Sequence, residues 1–335
     1  MKVIIQIPCY NEEETLATTL GELPRELPGI DEVEWLVIDD GSTDRTVEVA
    51  RANGVDHILS FPNNRGLARV FLAGLEASVK AGADIIVNTD ADNQYRAADI
   101  PKLIEPILAG VAEMVIGERP ISQTDHFSMS KKVLQRFGSW VVRKISGTNI
   151  PDAPSGFRAI SRQAAMQLNV FNEYTYTLET IIQAGHKNIA ITSVPISTND
   201  DLRPSRLFRS MGAYIRRSIV TILRIFLIYR PARSFLILGS IPFVGGVGLM
   251  IRWLVIRLFF FEGVSRAPSL IVAAILVLVG MQLWTFGMIA DLMATNRKLL
   301  EEIQFRVRHL SADPDAGKDV DLARSEVAPE YVEEG

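Results

Sequence analysis

The sequence predicts an α/β domain built on a mostly parallel sheet, followed by a basic amphipathic helix and a two-helix transmembrane hairpin. Three observations predict it. Over residues 1–200, short β-branched runs alternate with longer helical stretches, the pattern of a sheet covered by helices on both faces. Over residues 203–233 every charged residue is an arginine. Beyond them, residues 234–251 and 267–290 carry no charge at all, and each run approaches the roughly 20 residues that cross a bilayer.

Each element follows from its own pattern. Strands are expected at residues 2–7, 34–39, 57–61 and 85–89, with weaker candidates at 113–117, 156–160 and 189–194. Helices are expected at 12–23, 44–53, 66–81 and 100–109. On a helical wheel Arg206, Arg209, Arg216, Arg217 and Arg224 share one face, and Phe208, Met211, Ile215, Ile219, Ile222 and Phe226 fill the rest. A helix of that kind lies in an anionic membrane interface. The division expected is a catalytic domain over residues 1–203 and a juxtamembrane helix region over 204–233. Two membrane helices follow within 234–292, at about 234–258 and 267–291, then a cytoplasmic helix and an acidic, disordered tail over 293–335. Arg252 and Arg257 would snorkel to the far interface. Arginines before the first span, with Arg297, Lys298, Arg306 and Arg308 after the second, place the catalytic domain and both termini in the cytoplasm of a multi-pass cell (inner) membrane protein. The apolar run at the start is too short for an export signal and leads into acidic residues.

Composition narrows the function. The 335 residues are 48% hydrophobic and 22% charged, with a mean hydropathy of +0.17, which excludes disorder, collagen-like sequence and a disulfide scaffold. Cys9 is the single cysteine, so neither an intrachain disulfide nor a cysteine zinc site can form. Four scattered histidines make no metal cluster. A net charge of −4 argues against a nucleic-acid partner.

In such sheets ligands bind where strands end, so the loops after strands are the places to read. The first strand leads into Pro8, Cys9, Tyr10, Asn11 and Glu12, where Asn11 can cap the next helix. The second leads into Asp39-Asp40-Gly41-Ser42-Thr43-Asp44. Adjacent carboxylates there are costly unless a ribose hydroxyl, a base N–H or a cation satisfies them; a plain turn with Ser42 or Thr43 capping the helix is the simpler alternative. The fourth delivers Asp90-Ala91-Asp92-Asn93-Gln94. Spacing of two in an extended segment puts Asp90 and Asp92 on one side, and Gln94 continues it. Hard oxygen donors of this kind suit Mg2+ or Mn2+.

With these segments in view the sequence resembles the family 2 nucleotide-sugar glycosyltransferases of the GT-A fold. The resemblance is carried by IPCYNEEETL, VIDDGSTDRT, NRGLARVFLAGLEAS and NTDADNQY, in that order over roughly residues 1–120, and continues in SGFRAISR at 155–162. Within the family it looks most like the polyprenyl-phosphate (dolichol-phosphate-type) hexosyltransferases. The resemblance implies that Pro8, Tyr10, Glu12 and Asp39 line the base and ribose, with Asp90, Ala91 and Arg119 also against the nucleotide. It implies that Asp90, Asp92 and Gln94 hold the divalent ion on the diphosphate. Arg203 and Arg206 stand where relatives carry an arginine and a lysine reaching phosphate, and here the lysine is replaced. Asp152 and Ser155-Gly156-Phe157-Arg158 fall near the acceptor region.

The implied reaction is an inverting transfer of a hexose from a UDP- or GDP-sugar to polyprenyl (undecaprenyl or dolichyl) phosphate at the cytoplasmic leaflet. Asp92, Asp152, Arg203 and Arg206 are the expected catalytic residues, and Arg158, Arg203 and Arg206 the expected acceptor-phosphate contacts. An anionic acceptor needs positioning and charge screening more than a base, which arginines supply. A neutral lipid acceptor such as diacylglycerol would need a base, for which Asp152 is the candidate. A polysaccharide synthase is the other alternative, but its Q-x-x-R-W motif is missing: Arg252-Trp253 has Leu249 in place of the glutamine. A homo-oligomer is an open expectation, since Gly239, Gly245, Gly246 and Gly248 would permit close helix packing.

Overall fold

The computed structural model describes residues 1–120, 138–140, 142–169, 176–199, 231–259 and 267–312. Strands β1 (Lys2–Cys9), β2 (Glu32–Asp39), β3 (His57–Ser60), β4 (Ile85–Asn88), β5 (Met114–Glu118), β6 (Arg158–Ser161) and β7 (Ile191–Pro195) form one sheet. Its order is β3-β2-β1-β4-β6-β5-β7. All seven expected strands are present. Pairing is parallel except at β6, which runs antiparallel to both neighbours.

The central strands are apolar along their whole length because both faces are covered. Val3, Ile4, Ile5 and Ile7 of β1 have no exposed surface. The covering helices are α1 (Leu16–Glu22), α2 (Thr46–Ala52), α3 (Leu67–Lys80), α4 (Ile100–Leu108), α5 (Arg162–Gln167) and α6 (Thr177–His186). The sequence pattern does not reveal α5 and α6. In α6 the buried set includes Thr177, Glu179, Thr180 and Gln183, so the apolar stripe that marks a helix is broken by polar residues with internal partners.

The helix expected at residue 12 begins instead at Leu16. Asn11 takes the left-handed conformation, φ 54°, and its N–H donates to the Ser42 hydroxyl at 2.9 Å. It ties two loops together, and the N-cap residue of α1 is Thr15. Neither Ser42 nor Thr43 caps α2; Asp44 does that work, accepting from Thr46 N–H at 3.0 Å.

Where α3 crosses β1 and β2 the sheet demands glycine. A Cβ on Gly74 would lie 2.5 Å from Gln6 Oε1 and 2.8 Å from Ile38 Cδ1. Gly74→Ala is therefore expected to destabilise this domain by about 1–3 kcal/mol, the usual range for overpacking. A thermal midpoint unchanged from wild type would contradict the close approach.

The second unit, residues 217–302, holds helix α7 (Pro231–Phe259) and most of α8 (Ala267–Ala312). Both are long and apolar enough to cross a membrane, with mean hydropathies of 2.0 and 2.2 over their best windows. They pack on each other through small residues. A Cβ on Gly239 would come within 2.8 Å of Gly280 O, and one on Gly246 within 2.7 Å of Ala273 O. Phe243 and Trp284 pack ring to ring 4.5 Å apart, and Trp284 Nε1–H donates to Leu236 O at 3.2 Å. Gly239 and Gly246 are thus occupied inside the hairpin, while Gly245 and Gly248 meet nothing within 4 Å. Helix α8 passes the expected end at 291 without a break. Residues 204–230, expected as the interface helix, and the tail from 313 lie outside the described residues, as do Arg203 and Arg206.

Candidate active site

The strand register brings three loops to one edge. Cys9 is level with Asp39 and Gln6 with Asn88, so β1, β2 and β4 deliver their following loops side by side. The first two are stitched together. Thr43 N–H donates to Asn11 Oδ1 at 2.8 Å and Glu12 N–H to Thr46 Oγ1 at 2.8 Å. Gly41, at φ 71°, is pressed so close to the next loop that a Cβ would lie 2.6 Å from the Asn63 carbonyl carbon.

The acidic pair divides its roles. Asp40 accepts the N–H groups of Arg65 and Gly66, at 2.6 and 3.0 Å, and so holds the start of α3. Burial pushes its carboxyl above the ordinary range against those two bonds. Asp39 is 3% exposed and accepts from Ser42 N–H at 3.0 Å. Tyr10 is exposed, at 44%, while Pro8 and Ala91 are buried and Glu12 is half-buried beside Thr15. Pro8, Tyr10, Glu12 and Asp39 therefore come from the two stitched loops, and Asp90, Ala91, Asp92 and Gln94 from the neighbouring one.

In that third loop Asp90 is pushed up to about 7, first by desolvation and then by the charge of Asp92, with Arg119 and Arg158 opposing. Asp92 Oδ1 accepts from Gln94 N–H at 3.3 Å. Behind Asp90 sits the peptide of Gly156, gripped at both ends. Its N–H donates to Tyr95 Oη at 2.9 Å, and its carbonyl accepts from Asn88 Nδ2 at 2.8 Å. A Cβ on Gly156 would stand 3.1 Å from each Asp90 oxygen and from Tyr176 Oη. Asn88 also reaches Tyr176 Oη at 3.0 Å and accepts from Gln6 Nε2 at 2.8 Å. Sequence reasoning missed Asn88, Tyr95 and Tyr176 as site residues. For Asn88 the signal was available: a polar side chain at the buried end of an apolar strand.

These residues fit a divalent cation. A carboxylate raised by a neighbouring carboxylate is the arrangement that a dication relieves. Two carboxylates and one amide oxygen leave much of an octahedral shell to water and phosphate, as Mg2+ prefers. Among the described residues no three His, Cys, Asp or Glu side chains group to hold an ion by themselves.

Two residues expected near the acceptor are buried. Asp152 has no exposed surface and is held by Arg119, whose Nε and Nη2 donate at 2.7 and 3.0 Å. In this geometry both carboxylate oxygens face Arg119. Arg158 is also fully buried. It donates to Ser155 O at 2.8 Å, to Ala153 O at 3.0 Å and to Thr180 Oγ1, and burial pulls it down to about 10. It shapes the loop behind Asp90 and presents no face to an acceptor phosphate.

The sheet order, the single antiparallel strand and the acidic loop at the strand ends define a GT-A glycosyltransferase. The chain belongs to glycosyl transferase family 2, whose sequence profile matches residues 4–168. An uncharacterised protein of Methanocaldococcus jannaschii is 31% identical over 205 residues, 59% of this chain and 81% of that one. The undecaprenyl-phosphate mannosyltransferase of Micrococcus luteus is 28% identical over 235 residues, 67% of this chain and 93% of that one. Among solved structures, glucosyl-3-phosphoglycerate synthase from Mycobacterium tuberculosis aligns with a TM-score of 0.55 and 24% identity, covering 67% of this chain and 79% of that one; the likeness is one of fold.

Proposed function

We propose that this glycosyltransferase is anchored in the cell membrane and moves a hexose, with inversion, from a UDP- or GDP-sugar to polyprenyl phosphate at the cytoplasmic leaflet. The observation that carries the reading is the Asp90–Asp92 pair at the ligand edge of the sheet, in a chain that also holds two apolar helices able to span a bilayer. The name of the Micrococcus luteus relative supports the acceptor class.

Pro8, Tyr10, Glu12 and Asp39 bind the nucleoside end of the donor. Asp39 suits a ribose hydroxyl or a base N–H, because a buried carboxylate gains most from a donor that water cannot replace. Asp90, Asp92 and Gln94 would hold Mg2+ or Mn2+, which would supply Lewis-acid stabilisation of charge on the departing diphosphate. The Gly156 peptide, fixed by Tyr95 and Asn88, backs Asp90 and keeps its oxygens directed at one place. The acceptor phosphate is anionic at neutral pH and attacks the anomeric carbon without a strong base, while Arg203 and Arg206 screen and orient it. The engagement of Asp152 by Arg119 favours an anionic acceptor over a neutral lipid hydroxyl that would need Asp152 as its base. Arginines on the 204–233 segment hold the catalytic domain against anionic lipid, so that a phosphate at membrane height is within reach.

The test uses detergent-purified protein with Mg2+, undecaprenyl phosphate and a panel of radiolabelled UDP- and GDP-sugars, and follows label into the organic phase. One donor is expected to give labelled lipid that Asp92→Ala does not make. Nucleoside diphosphate released without any labelled lipid would make polyprenyl phosphate the wrong acceptor.

A further inference from the structure

The metal loop is held from outside by a cluster that the catalytic reading does not use. Asn93, between Asp92 and Gln94, is 6% exposed and sits in the left-handed conformation at φ 58°. Asparagine tolerates that conformation best when its side chain has a local partner. Here the partner is distant in sequence: Asn93 Nδ2 donates to Glu22 Oε1 at 2.9 Å, at the last residue of α1. The other oxygen of Glu22 accepts from Asn199 Nδ2 at 3.1 Å. Asn199 Nδ2 also lies 3.1 Å from Asn93 O, and Asn199 N–H donates to Gln94 O at 3.0 Å.

The same stitching continues along both segments. Thr198 bridges Tyr95 in antiparallel fashion, and Ser197 N–H donates to Asp99 Oδ2 at 2.6 Å. Three segments far apart in sequence therefore meet at one carboxylate. Helix α1 supplies Glu22, the metal loop supplies Asn93, and the chain leaving β7 supplies Asn199. Four residues beyond Asn199 the sequence reaches Arg203, the first of the two arginines assigned to the acceptor phosphate.

We propose that Glu22, Asn93 and Asn199 form a clasp that fixes the Asp90–Gln94 loop in its metal-binding conformation. The inference rests on the reading of Asp90, Asp92 and Gln94 as the ion's ligands. These are positioning residues: none supplies an oxygen to the ion. Their effect is on the backbone angle at Asn93, which sets where Asp92 and Gln94 stand relative to Asp90. Glu22 is well suited to the task because a carboxylate has two oxygens and can accept from both amides at once.

The test measures binding of Mn2+ alone by electron paramagnetic resonance on the full-length, detergent-purified protein, without donor or acceptor. Glu22→Ala and Asn199→Ala are each expected to weaken Mn2+ binding about tenfold, the scale on which partners behind metal ligands act. Their thermal midpoints should stay near wild type, since Glu22 is exposed and neither residue lies in the apolar core. Glu22→Gln retains one accepting oxygen and should recover part of the affinity. In transfer assays the apparent KM for Mn2+ should rise, with kcat at saturating Mn2+ close to wild type. Mn2+ affinity within twofold of wild type in both alanine variants, with binding abolished in Asp92→Ala, would overturn the clasp and leave the metal reading standing. A lowered thermal midpoint with full Mn2+ affinity would also overturn it. Wild type and Asp92→Ala binding Mn2+ equally would overturn both.

Discussion

Asp92→Ala and the near-isosteric Asp90→Asn should each lower kcat/KM for sugar transfer by about 100- to 1,000-fold, the scale of losing one element of charge stabilisation at a departing oxygen. Either substitution leaves a single carboxylate in a loop whose ion needs two. The pH behaviour should separate them from a folding defect. Burial and the charge of Asp92 push the Asp90 carboxyl up to about 7, so below that pH a proton would compete with an ion for the same oxygens. Mn2+ affinity should therefore fall as pH drops from 8 to 6. The stability sign is the reverse of the usual acid case. Asp90 binds its proton more tightly folded than unfolded, so its burden on the metal-free fold is absent below the ordinary carboxylate range and complete above about pH 7. Asp90→Asn should remove that burden, narrowing the difference in thermal midpoint between pH 6 and pH 8. A Mn2+ affinity flat across this interval would contradict the assignment of Asp90.

The second large effect is structural. Arg158→Met is expected to destabilise the catalytic domain by about 2–6 kcal/mol, because it strands the carbonyls of Ser155 and Ala153 inside the protein, at roughly 1–3 kcal/mol each. For a domain of this size that corresponds to a fall in thermal midpoint of about 10 °C. Arg158→Lys should recover little, since an ammonium lacks the planar fork that reaches three acceptors. If Arg158 instead contacted the acceptor, either variant would raise the KM for polyprenyl phosphate and leave the melting temperature untouched. That result would restore the role the sequence suggested.

Arg158 also shows where sequence reasoning stops. The seven strands were legible because a sheet buried on both faces writes itself as short apolar runs, and the order of the acidic loops followed from them. The two long apolar helices were legible for a similar reason: each writes itself as an uncharged run of about 20 residues or more. What could not be read was which side of a loop each polar residue faces. Arg158 and Asp152 stand in motifs that suggest contact with substrate, yet both are turned inward, one to carbonyls and the other to Arg119. Helix α6 escaped because threonine, glutamate and glutamine share its buried face with Ile181, Ile182 and Ala184 and break the apolar stripe. The Glu22–Asn199 contact escaped because no local pattern reports a pairing between residues so far apart in the chain.

The antiparallel entry of β6 has a consequence for how such a protein can change. Because β5 runs out toward the ligand edge and β6 starts back from it, residues 119–157 leave and rejoin the sheet on the side where chemistry happens. Arg119 and Asp152 bolt the two ends of that excursion together. A segment mounted in this way behaves as an exchangeable cartridge between Arg119 and Asp152: it can change without altering strand order, while the stretch around Gly156 stays tied to the Asp90 loop. Diversification of acceptors among proteins sharing this sheet would then concentrate there, and a graft of the segment from a relative is the natural unit of redesign.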